Sequence, residues 1–388
     1  MRRLDPAQRE TAMAPASASA SGPLPAFRLS IVAPTFNEAA NVALLRDRIA
    51  AALGDVAWEL IFVDDDSPDG TAAIAHRLAQ SDRRVRCLLR VGRRGLVSAA
   101  CEGILSSSAP LVAVIDADLQ HDESLLAAMM TALEDDALDV VVGSRYVAGG
   151  GVGDWAPARV ATSRIATRLA RLVLRADLAD PMSGFFMIRR EAALRCIRAG
   201  TSGVGFKILF DLFASSPLPL RHRELPYRFR QRAHGASKLG TTVAWEFFVM
   251  LLDRLLGGLL PIRFIAFSLV GAIGLGVHLA VLALLFKGVG LPFLNAQIAA
   301  TLTAMTGNFL LNNVLTYRDM RLRGWHLVTG WASFALACSV GSLANIGIAN
   351  WLFERQGLWA VSAVAGVLVG AVWNYAVTSL YTWRGRRA

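Results

Sequence analysis

The feature of this sequence that most constrains its fold is a set of four long apolar runs in the last third of the chain. None of the runs contains Lys, Arg, Asp or Glu, and each exceeds the roughly 20 residues that a helix needs to cross the hydrocarbon core of a bilayer. The runs are Phe264–Phe286, Gly288–Tyr317, Gly324–Phe353 and Gln356–Trp383. The sequence therefore predicts an all-α transmembrane domain of four helices over residues 263–388.

The charges between the runs predict the orientation of this domain. Basic residues precede the first run, separate the second from the third and end the chain: Arg263, then Arg318, Arg321 and Arg323, then Arg384, Arg386 and Arg387. The other connectors hold only Lys287, and Glu354 with Arg355. Because loops rich in Lys and Arg stay on the cytoplasmic side, we expect both termini and the central loop to be cytoplasmic. Residues 1–26 lack the apolar core of a signal peptide and are expected to form a disordered leader.

The distribution of charge also favours a membrane partner. The formal net charge is +10, and from Arg263 onward the chain has nine basic against two acidic residues, whereas the preceding part is close to balance. Basic groups that flank long apolar runs suit the anionic phosphates of a membrane, and we expect no nucleic-acid partner. The four cysteines form no CxxC pair, so neither a disulfide framework nor a zinc site is indicated.

Residues 241–262 join the membrane runs to the rest of the chain. They are apolar but contain Glu246, Asp253 and Arg254, which makes them too polar to span a bilayer comfortably. We interpret them as interfacial amphipathic helices, with a buried helix of a soluble domain as the alternative.

The membrane part contains an internal repeat. Asn308-Phe309 with Leu315–Arg318 matches Asn374-Tyr375 with Tyr381–Arg384 at a constant offset of 66 residues. Aromatic residues beside Arg are expected to anchor the cytoplasmic ends of the spans. The intramembrane asparagines are expected to form hydrogen bonds between helices, with a role in a lipid or substrate path as the alternative.

Residues 27–240 show a different pattern, in which short apolar runs alternate with amphipathic helical segments. The predicted strands are Leu29–Ala33, Leu60–Val63, Val85–Leu89, Val112–Ile115 and Val140–Val142; the predicted helices include Glu38–Leu53, Thr71–Gln80 and Ser124–Leu133. Such alternation is typical of a mostly parallel sheet with helices on both faces, in which ligands bind beyond the carboxyl ends of the strands. No GxGxxG or Walker loop follows the first strand, which disfavours dinucleotide and P-loop folds.

Polar clusters follow three of the predicted strands. They are Pro34–Glu38, Asp64–Thr71 and Asp116–His121. Because these strands end at one edge of the sheet, we expect the clusters to converge, and so many carboxylates would repel one another without a cation. Oxygen ligands suit Mg²⁺ or Mn²⁺, which often share a site with substrate phosphates. A metal there would neutralise the charge that develops on a nucleotide diphosphate leaving group.

At these motifs the sequence resembles glycosyltransferase family 2 enzymes with the Rossmann-like α/β GT-A fold. Three further motifs narrow the resemblance to dolichol-phosphate mannose synthases, also called polyprenol monophosphomannose synthases: Gly143–Tyr146, Asp180–Phe186 and Arg232–Leu239. The resemblance spans residues 29–240, with the motifs in the family's order. The four predicted spans resemble the GtrA-like membrane domain that some of these synthases carry.

The resemblance implies roles for particular residues. The residues implied to bind the nucleotide are Pro34, Phe36, Glu38, Asp65 and Asp116. Those implied to bind the metal and the donor pyrophosphate are Asp116, Asp118 and Gln120. Those implied to bind phosphates, including the phosphate of the acceptor, are Arg145, Arg159, Ser163, Arg232 and Lys238. Among them, Asp118, Arg145 and Arg232 are the predicted catalytic residues. For Arg145 a strand-end salt bridge is the alternative, and for Lys238 it is snorkelling at the membrane surface. Asp122-Glu123 depart from the family pattern, in which Pro often follows the DxDLQH motif.

The implied reaction is inverting, metal-dependent transfer of mannose from GDP-mannose to a polyprenyl phosphate at the cytoplasmic face of the membrane. A UDP-glucose-dependent polyprenyl-phosphate glucosyltransferase is the alternative of the same class. The alternative of a different class is a flippase for lipid-linked sugars, or a scaffold, with an inert transferase fold. The intact Asp116, Asp118, Gln120 and Arg145 argue against inertness.

Overall fold

The computed structural model describes residues 26–134, 137–174, 176–201, 207–231, 241–256, 259–356 and 359–383. Its N-terminal part is a seven-stranded mixed sheet with the strand order β3-β2-β1-β4-β6-β5-β7. The strands are β1 (Leu29–Thr35), β2 (Trp58–Asp64), β3 (Val85–Leu89), β4 (Leu111–Val114), β5 (Val140–Ser144), β6 (Phe186–Arg189) and β7 (His222–Pro226). All neighbouring strands pair in parallel except β6, which runs antiparallel to both β4 and β5.

Helices cover both faces of this sheet. They are α1 (Val42–Leu53), α2 (Thr71–Ser81), α3 (Leu96–Ser106), α4 (Leu125–Leu133), α5 (Pro157–Val173), α6 (Arg190–Arg198) and α7 (Ile208–Ser215). Side chains alternate across a strand, so each face has its own core: Val32 of β1 packs in one apolar cluster, and Ile31 and Ala33 pack in the other. The prediction of an α/β sheet with helices on both faces is confirmed.

The five predicted strands are all present; β3 has the predicted bounds, and no end of the other four differs by more than two residues. The strands β6 and β7 were not predicted. Each is only four or five residues long, and β6 is held by partners far away in sequence, such as Val112 opposite Ile188. Short strands of this kind depend on tertiary pairing more than on their own pattern.

The C-terminal part is helical. It comprises α8 (Thr241–Leu255), α9 (Ile262–Ala283), α10 (Phe293–Leu311), α11 (Trp325–Gln356) and α12 (Trp359–Val377). Three of these helices continue into π-helical turns, at Leu284–Gly288, Asn312–Thr316 and Thr378–Thr382. In the part of the chain that the structure describes, Ile262–Gly288 (mean hydropathy 2.4) and Trp325–Leu343 (1.2) are long and apolar enough to cross a membrane. Each predicted run coincides with a helix, and the count of four spans stays a prediction.

Two asparagine–glycine contacts recur in the membrane part. A Cβ placed on Gly274 of α9 would lie 2.1 Å from Oδ1 of Asn308 on α10, and one on Gly341 of α11 would lie 2.1 Å from Oδ1 of Asn374 on α12. Neither amide oxygen has a hydrogen-bond partner among the described residues. In the described part of the chain these two oxygens pack against glycine backbone, where weak Cα–H···O contacts are common. The repeat found in the sequence thus corresponds to a repeated packing contact. The expected hydrogen bond between helices is present at Asn313, whose Oδ1 accepts the Trp383 indole N–H at 3.2 Å.

Candidate active site

The loops that follow β1 and β2 are joined by hydrogen bonds. Thr35 Oγ1 donates to Asp64 Oδ1 at 3.0 Å, the Asn37 amide donates to Ser67 Oγ at 2.9 Å, and the Glu38 amide donates to Thr71 Oγ1 at 3.0 Å. β1 and β2 are parallel neighbours in register, with Thr35 opposite Asp64, so both loops leave the same edge of the sheet. The structure therefore joins the two loops that carry the residues assigned to a nucleoside pocket, namely Pro34, Phe36, Glu38 and Asp65.

Asp65 is held on one side of this pocket by the loop that follows β3. Its Oδ2 accepts the Gly95 amide at 2.6 Å, and its Oδ1 is paired with the buried Arg90. Burial raises the pKa of Asp65, although the Gly95 amide and the Arg90 guanidinium oppose the shift.

Phe36, also predicted for the pocket, is half-buried beneath an exposed arginine. The Arg94 guanidinium carbon lies 4.5 Å from the centre of the Phe36 ring. A flat cation over an aromatic ring is a favourable contact that a planar nucleobase could join or replace. Sequence reasoning missed Arg94 because it lies outside the motifs that carry the resemblance.

Asp116, at the end of β4, is fixed by two contacts. Its Oδ2 lies 3.3 Å from Nε2 of the buried His121, whose Nδ1 lies 2.8 Å from the Tyr227 hydroxyl. A Cβ on Gly184 would lie 2.4 Å from Asp116 Oδ2. Glycine at position 184 therefore leaves room for this carboxylate. Burial favours a raised pKa for Asp116, but the hydrogen bond with His121 and nearby positive charges hold the pKa below its ordinary value.

Asp118 and Gln120 follow in the same loop. Asp118 Oδ1 accepts the Gln120 amide at 3.2 Å, and both side chains are largely buried. Together with Asp116 they provide only oxygen donors, which suits Mg²⁺ or Mn²⁺. The described residues contain no group of three or more His, Cys, Asp or Glu side chains that could hold a metal. A cation here would therefore complete its coordination shell with water and substrate phosphates, as Mg²⁺ typically does.

Backbone strain concentrates in these three loops. The non-glycine residues with positive φ in the described part are Asn37 (56°), Asp66 (57°) and Leu119 (62°), one in each loop. Such a conformation costs about 1–3 kcal/mol and persists where the surrounding structure enforces it, often at functional sites. For Leu119 the conformation is the more unusual, because its side chain is bulky.

Arg145 follows β5 and is buried. Its Nε and Nη2 donate to the two carboxylate oxygens of Asp180, each at 2.7 Å. The salt bridge weighed as the alternative for Arg145 is therefore present. Asp180 thus accepts hydrogen bonds from two of the three guanidinium nitrogens.

Arg159 and Ser163 lie on α5, and the structure brings both to the Arg145 loop. Ser163 Oγ accepts a hydrogen bond from Tyr146 at 2.7 Å, and the guanidinium carbons of Arg159 and Arg145 lie 4.0 and 5.3 Å from the centre of the Trp155 ring. The Trp155 indole thus packs against Arg145 and Arg159, both of which are predicted to bind phosphate.

Lys207 is a cation of this site that the sequence analysis did not single out. Its Nζ donates to the Met182 carbonyl at 2.9 Å. Burial and the positive charge of Arg145 lower the pKa of Lys207 to about 8, opposed by Asp116 and Asp180, so Lys207 is still mostly protonated at pH 7. A signal was available: only three of the 40 basic residues are lysines, namely Lys207, Lys238 and Lys287. The predicted phosphate residues Arg232 and Lys238 lie outside the described residues.

A mixed α/β sheet with carboxylates beside a cluster of cations, joined to apolar helices, is the architecture of a membrane-bound sugar transferase. Residues 30–196 match the family model of glycosyl transferase family 2, and residues 266–383 match that of the GtrA/DPMS transmembrane domain. The protein is therefore a glycosyltransferase with a membrane domain.

Individual relatives define the family more closely. Dolichol-phosphate mannosyltransferase of Pyrococcus furiosus is 32% identical, over 92% of this chain and 99% of that protein. The Saccharomyces cerevisiae protein of the same name is 34% identical, over 57% of this chain and 85% of its own length. Polyprenol monophosphomannose synthase of Mycolicibacterium smegmatis is 31% identical, over 55% of this chain and 82% of its own length. The chain belongs to the dolichol-phosphate mannosyltransferase family, and the resemblance stated from its motifs is confirmed.

Among solved structures, glucosyl-3-phosphoglycerate synthase from Mycobacterium tuberculosis, in complex with Mn²⁺, UDP-glucose and phosphoglyceric acid, is similar with a TM-score of 0.45 and 19% identity. The match covers 59% of this chain and 79% of that one.

Proposed function

We propose that this protein transfers mannose from GDP-mannose to a polyprenyl phosphate, with inversion at the anomeric carbon, at the cytoplasmic face of the membrane. The observation that carries the proposal is the position of Asp116. One short segment contacts this carboxylate and two cations: Gly184 packs against Asp116, Asp180 pairs with Arg145, and the Met182 carbonyl accepts a hydrogen bond from Lys207. A carboxylate for a metal and cations for phosphates thus lie side by side, as a reaction between two anionic substrates requires.

The donor half of the site comprises the loops after β1, β2 and β4. Phe36 and Asp65 would bind the nucleoside. Asp116, Asp118 and Gln120 would hold Mg²⁺ or Mn²⁺, which when bound neutralises charge on the leaving diphosphate. The role of the protein here is to keep these oxygens in place, which His121 does for Asp116 and the backbone of Gln120 does for Asp118.

The acceptor half comprises Arg145, Arg159 and Ser163, joined by Arg232 and Lys238 of the family motif. A phosphate monoester has a second pKa near 6, so its oxygen is largely ionised at neutral pH and needs no general base. It needs cations that hold the attacking oxygen in line with the anomeric carbon against electrostatic repulsion. Arg145, fixed by Asp180, would contact this phosphate, and Lys207 would offset charge between the two halves.

The membrane would deliver the lipid to this half of the site. α5 carries the exposed apolar residues Ile165 and Leu172 as well as arginines, a composition typical of a helix that lies on a membrane surface. α5 packs against α8, and Arg254 of α8 pairs with the buried Asp211 of α7. The predicted interfacial segment is thus joined directly to the transferase domain, through α7 and through α5, the helix that carries Arg159 and Ser163.

The test is to incubate membranes that contain the protein with radiolabelled GDP-mannose, UDP-glucose or GDP-glucose, with and without added polyprenyl phosphate. We expect label in the lipid only from GDP-mannose, dependent on the acceptor, with a β-linkage that establishes inversion. Transfer from UDP-glucose instead would favour the glucosyltransferase. Absence of transfer from every donor, in protein that remains folded, would favour the flippase or scaffold.

A further inference from the structure

Arg230, in the segment after β7, binds the loop that carries the predicted metal ligands. Its Nη1 donates to Glu123 Oε2 at 2.6 Å and to the His121 carbonyl at 3.1 Å, and its Nη2 donates to Asp122 Oδ1 at 2.7 Å. We call Arg230, Asp122 and Glu123 the Arg230 ion-pair cluster. The two acids are the residues that depart from the family pattern after the DxDLQH motif.

The backbone of Arg230 also fixes the amide of Gln120. Its N–H donates to the Gln120 carbonyl at 2.8 Å, and its carbonyl accepts Gln120 Nε2 at 3.0 Å. A carbonyl oxygen can only accept, so the nitrogen of the side-chain amide must face Arg230. Oε1, the only atom of this amide that can ligate a metal, is thereby turned away from Arg230.

The cluster differs from an ordinary surface ion pair, which contributes about 0–1 kcal/mol. The side chain of Glu123 is only 4% exposed, and its other oxygen lies 3.6 Å from Arg48 of α1. Arg230 therefore joins a buried carboxylate, a partly exposed carboxylate and two backbone positions of a single loop. Among the described residues, removing its guanidinium would leave the buried Glu123 with Arg48, at 3.6 Å, as its remaining counter-ion.

We propose that Arg230 is a positioning residue for sugar transfer, which holds the segment preceding Arg232 against the metal-binding loop and so orients Gln120 Oε1. This inference rests on the proposed function. Arg232, a predicted acceptor-binding residue, follows two residues later in the sequence. Metal binding and acceptor binding would then depend on one ion-pair cluster.

The test uses the full-length protein in detergent with lipid. Mn²⁺ binding in the presence of GDP is measured by electron paramagnetic resonance of the free ion, without turnover, and the acceptor KM is measured by transfer. We expect Arg230→Gln to raise both the Mn²⁺ dissociation constant and the acceptor KM about tenfold, since groups that orient a metal ligand typically contribute 10–100-fold. Arg230→Lys should recover part of the loss. The double variant Asp122→Asn with Glu123→Gln should raise the two constants as much as Arg230→Gln does. Adding Arg230→Gln to that double variant should raise them little further, because the three residues act as one unit.

Arg84→Gln is the matched control. Arg84 is also 41% exposed and also forms a doubly hydrogen-bonded pair, with Asp82, but it lies beside the start of β3, at the opposite edge of the sheet. It should change neither constant. If Arg230→Gln melts like wild type and leaves the Mn²⁺ dissociation constant and the acceptor KM unchanged, Arg230 has no positioning role. If Arg230→Gln unfolds, the same two constants unchanged in Arg230→Lys would overturn that role. Failure of the wild type to bind Mn²⁺ with GDP, or to transfer mannose, would instead refute the proposed function.

Discussion

Arg145 and Asp180 form a doubly hydrogen-bonded ion pair inside the transferase domain, with both side-chain bonds at 2.7 Å and a third bond from the Arg145 amide to Asp180 Oδ2 at 3.0 Å. Asp180 is fully buried. Breaking one partner of such a pair costs about 3–5 kcal/mol, because a buried charge is left without compensation. Arg145 therefore has a structural role in addition to the phosphate contact that we propose.

Arg145→Lys separates these two roles. Lysine keeps the positive charge but loses the planar fork that matches a carboxylate, and it cannot present a second nitrogen to phosphate. We expect transfer to fall about a hundredfold, with a rise in the acceptor KM and a lower melting temperature. The control Glu134→Lys reverses an exposed charge and should leave transfer within about twofold. If Arg145→Lys lowers the melting temperature while kcat and the acceptor KM stay at wild-type values, Arg145 is structural only.

Asp118→Asn tests the metal assignment. The amide removes a negative charge that a divalent cation needs, so we expect transfer to fall about a thousandfold, which corresponds to ~4 kcal/mol of activation free energy. Transfer rates are measured with Mg²⁺, with Mn²⁺ and with EDTA. Asp55→Asn, at an exposed position, should behave like wild type. Full activity of Asp118→Asn, or of the wild type in EDTA, would exclude Asp118 as a metal ligand required for transfer.

Gly184→Ala tests whether the position of Asp116 matters. A Cβ there would lie 2.4 Å from Oδ2 and 3.0 Å from Cγ of Asp116, so the carboxylate would have to move. A displacement of about 1 Å in an active site can cost a hundredfold in rate, and we expect a loss of that order together with weaker Mn²⁺ binding. At Gly151 a Cβ would meet only Arg228 Cγ, at 3.6 Å, so Gly151→Ala should retain activity. Equal activities of the two variants would contradict the assignment.

The sequence predicted the part of the site that depends on local pattern. Strands β1, β2 and β4 are apolar runs that end in polar clusters, and parallel pairing brings those ends to one edge whatever the exact register. It also placed Ser163 on a helix, and the contact with Tyr146 shows which residue of the preceding loop that helix faces.

The remaining features depend on contacts that local pattern does not encode. Asp180 lies 35 residues from Arg145, and only the antiparallel β6 that follows it returns the chain to the sheet. Lys207 acts on Asp116 by its charge although 91 residues separate the two in sequence. The contact between Arg94 and Phe36 arises from two loops that are neighbours only after folding. In each case, the residue types were visible in the sequence but their partners were not.

Gly274→Ala tests the repeated contact of the membrane domain. The new Cβ would lie 2.1 Å from Oδ1 and 2.4 Å from Nδ2 of Asn308, so α9 and α10 would have to separate or Asn308 would have to turn. Inserting a methyl group into a packed interface costs about 1–3 kcal/mol. We therefore expect a lower melting temperature of the full-length protein in detergent. Gly276→Ala, two residues along the same helix with nothing within 4 Å of its Cβ, is the matched control and should melt like wild type.

The second half of the repeat sharpens this test. At Gly341 a Cβ would lie 2.1 Å from Asn374 Oδ1, so Gly341→Ala should have an effect similar to that of Gly274→Ala. Adding Asn308→Ala to Gly274→Ala removes the colliding amide and also an amide oxygen that has no hydrogen bond among the described residues. The double variant should therefore recover most of the lost stability, because small residues allow helices to approach closely in a membrane. If Gly274→Ala melts like Gly276→Ala, or if Asn308→Ala fails to restore stability, the asparagine–glycine contact does not determine how these helices pack.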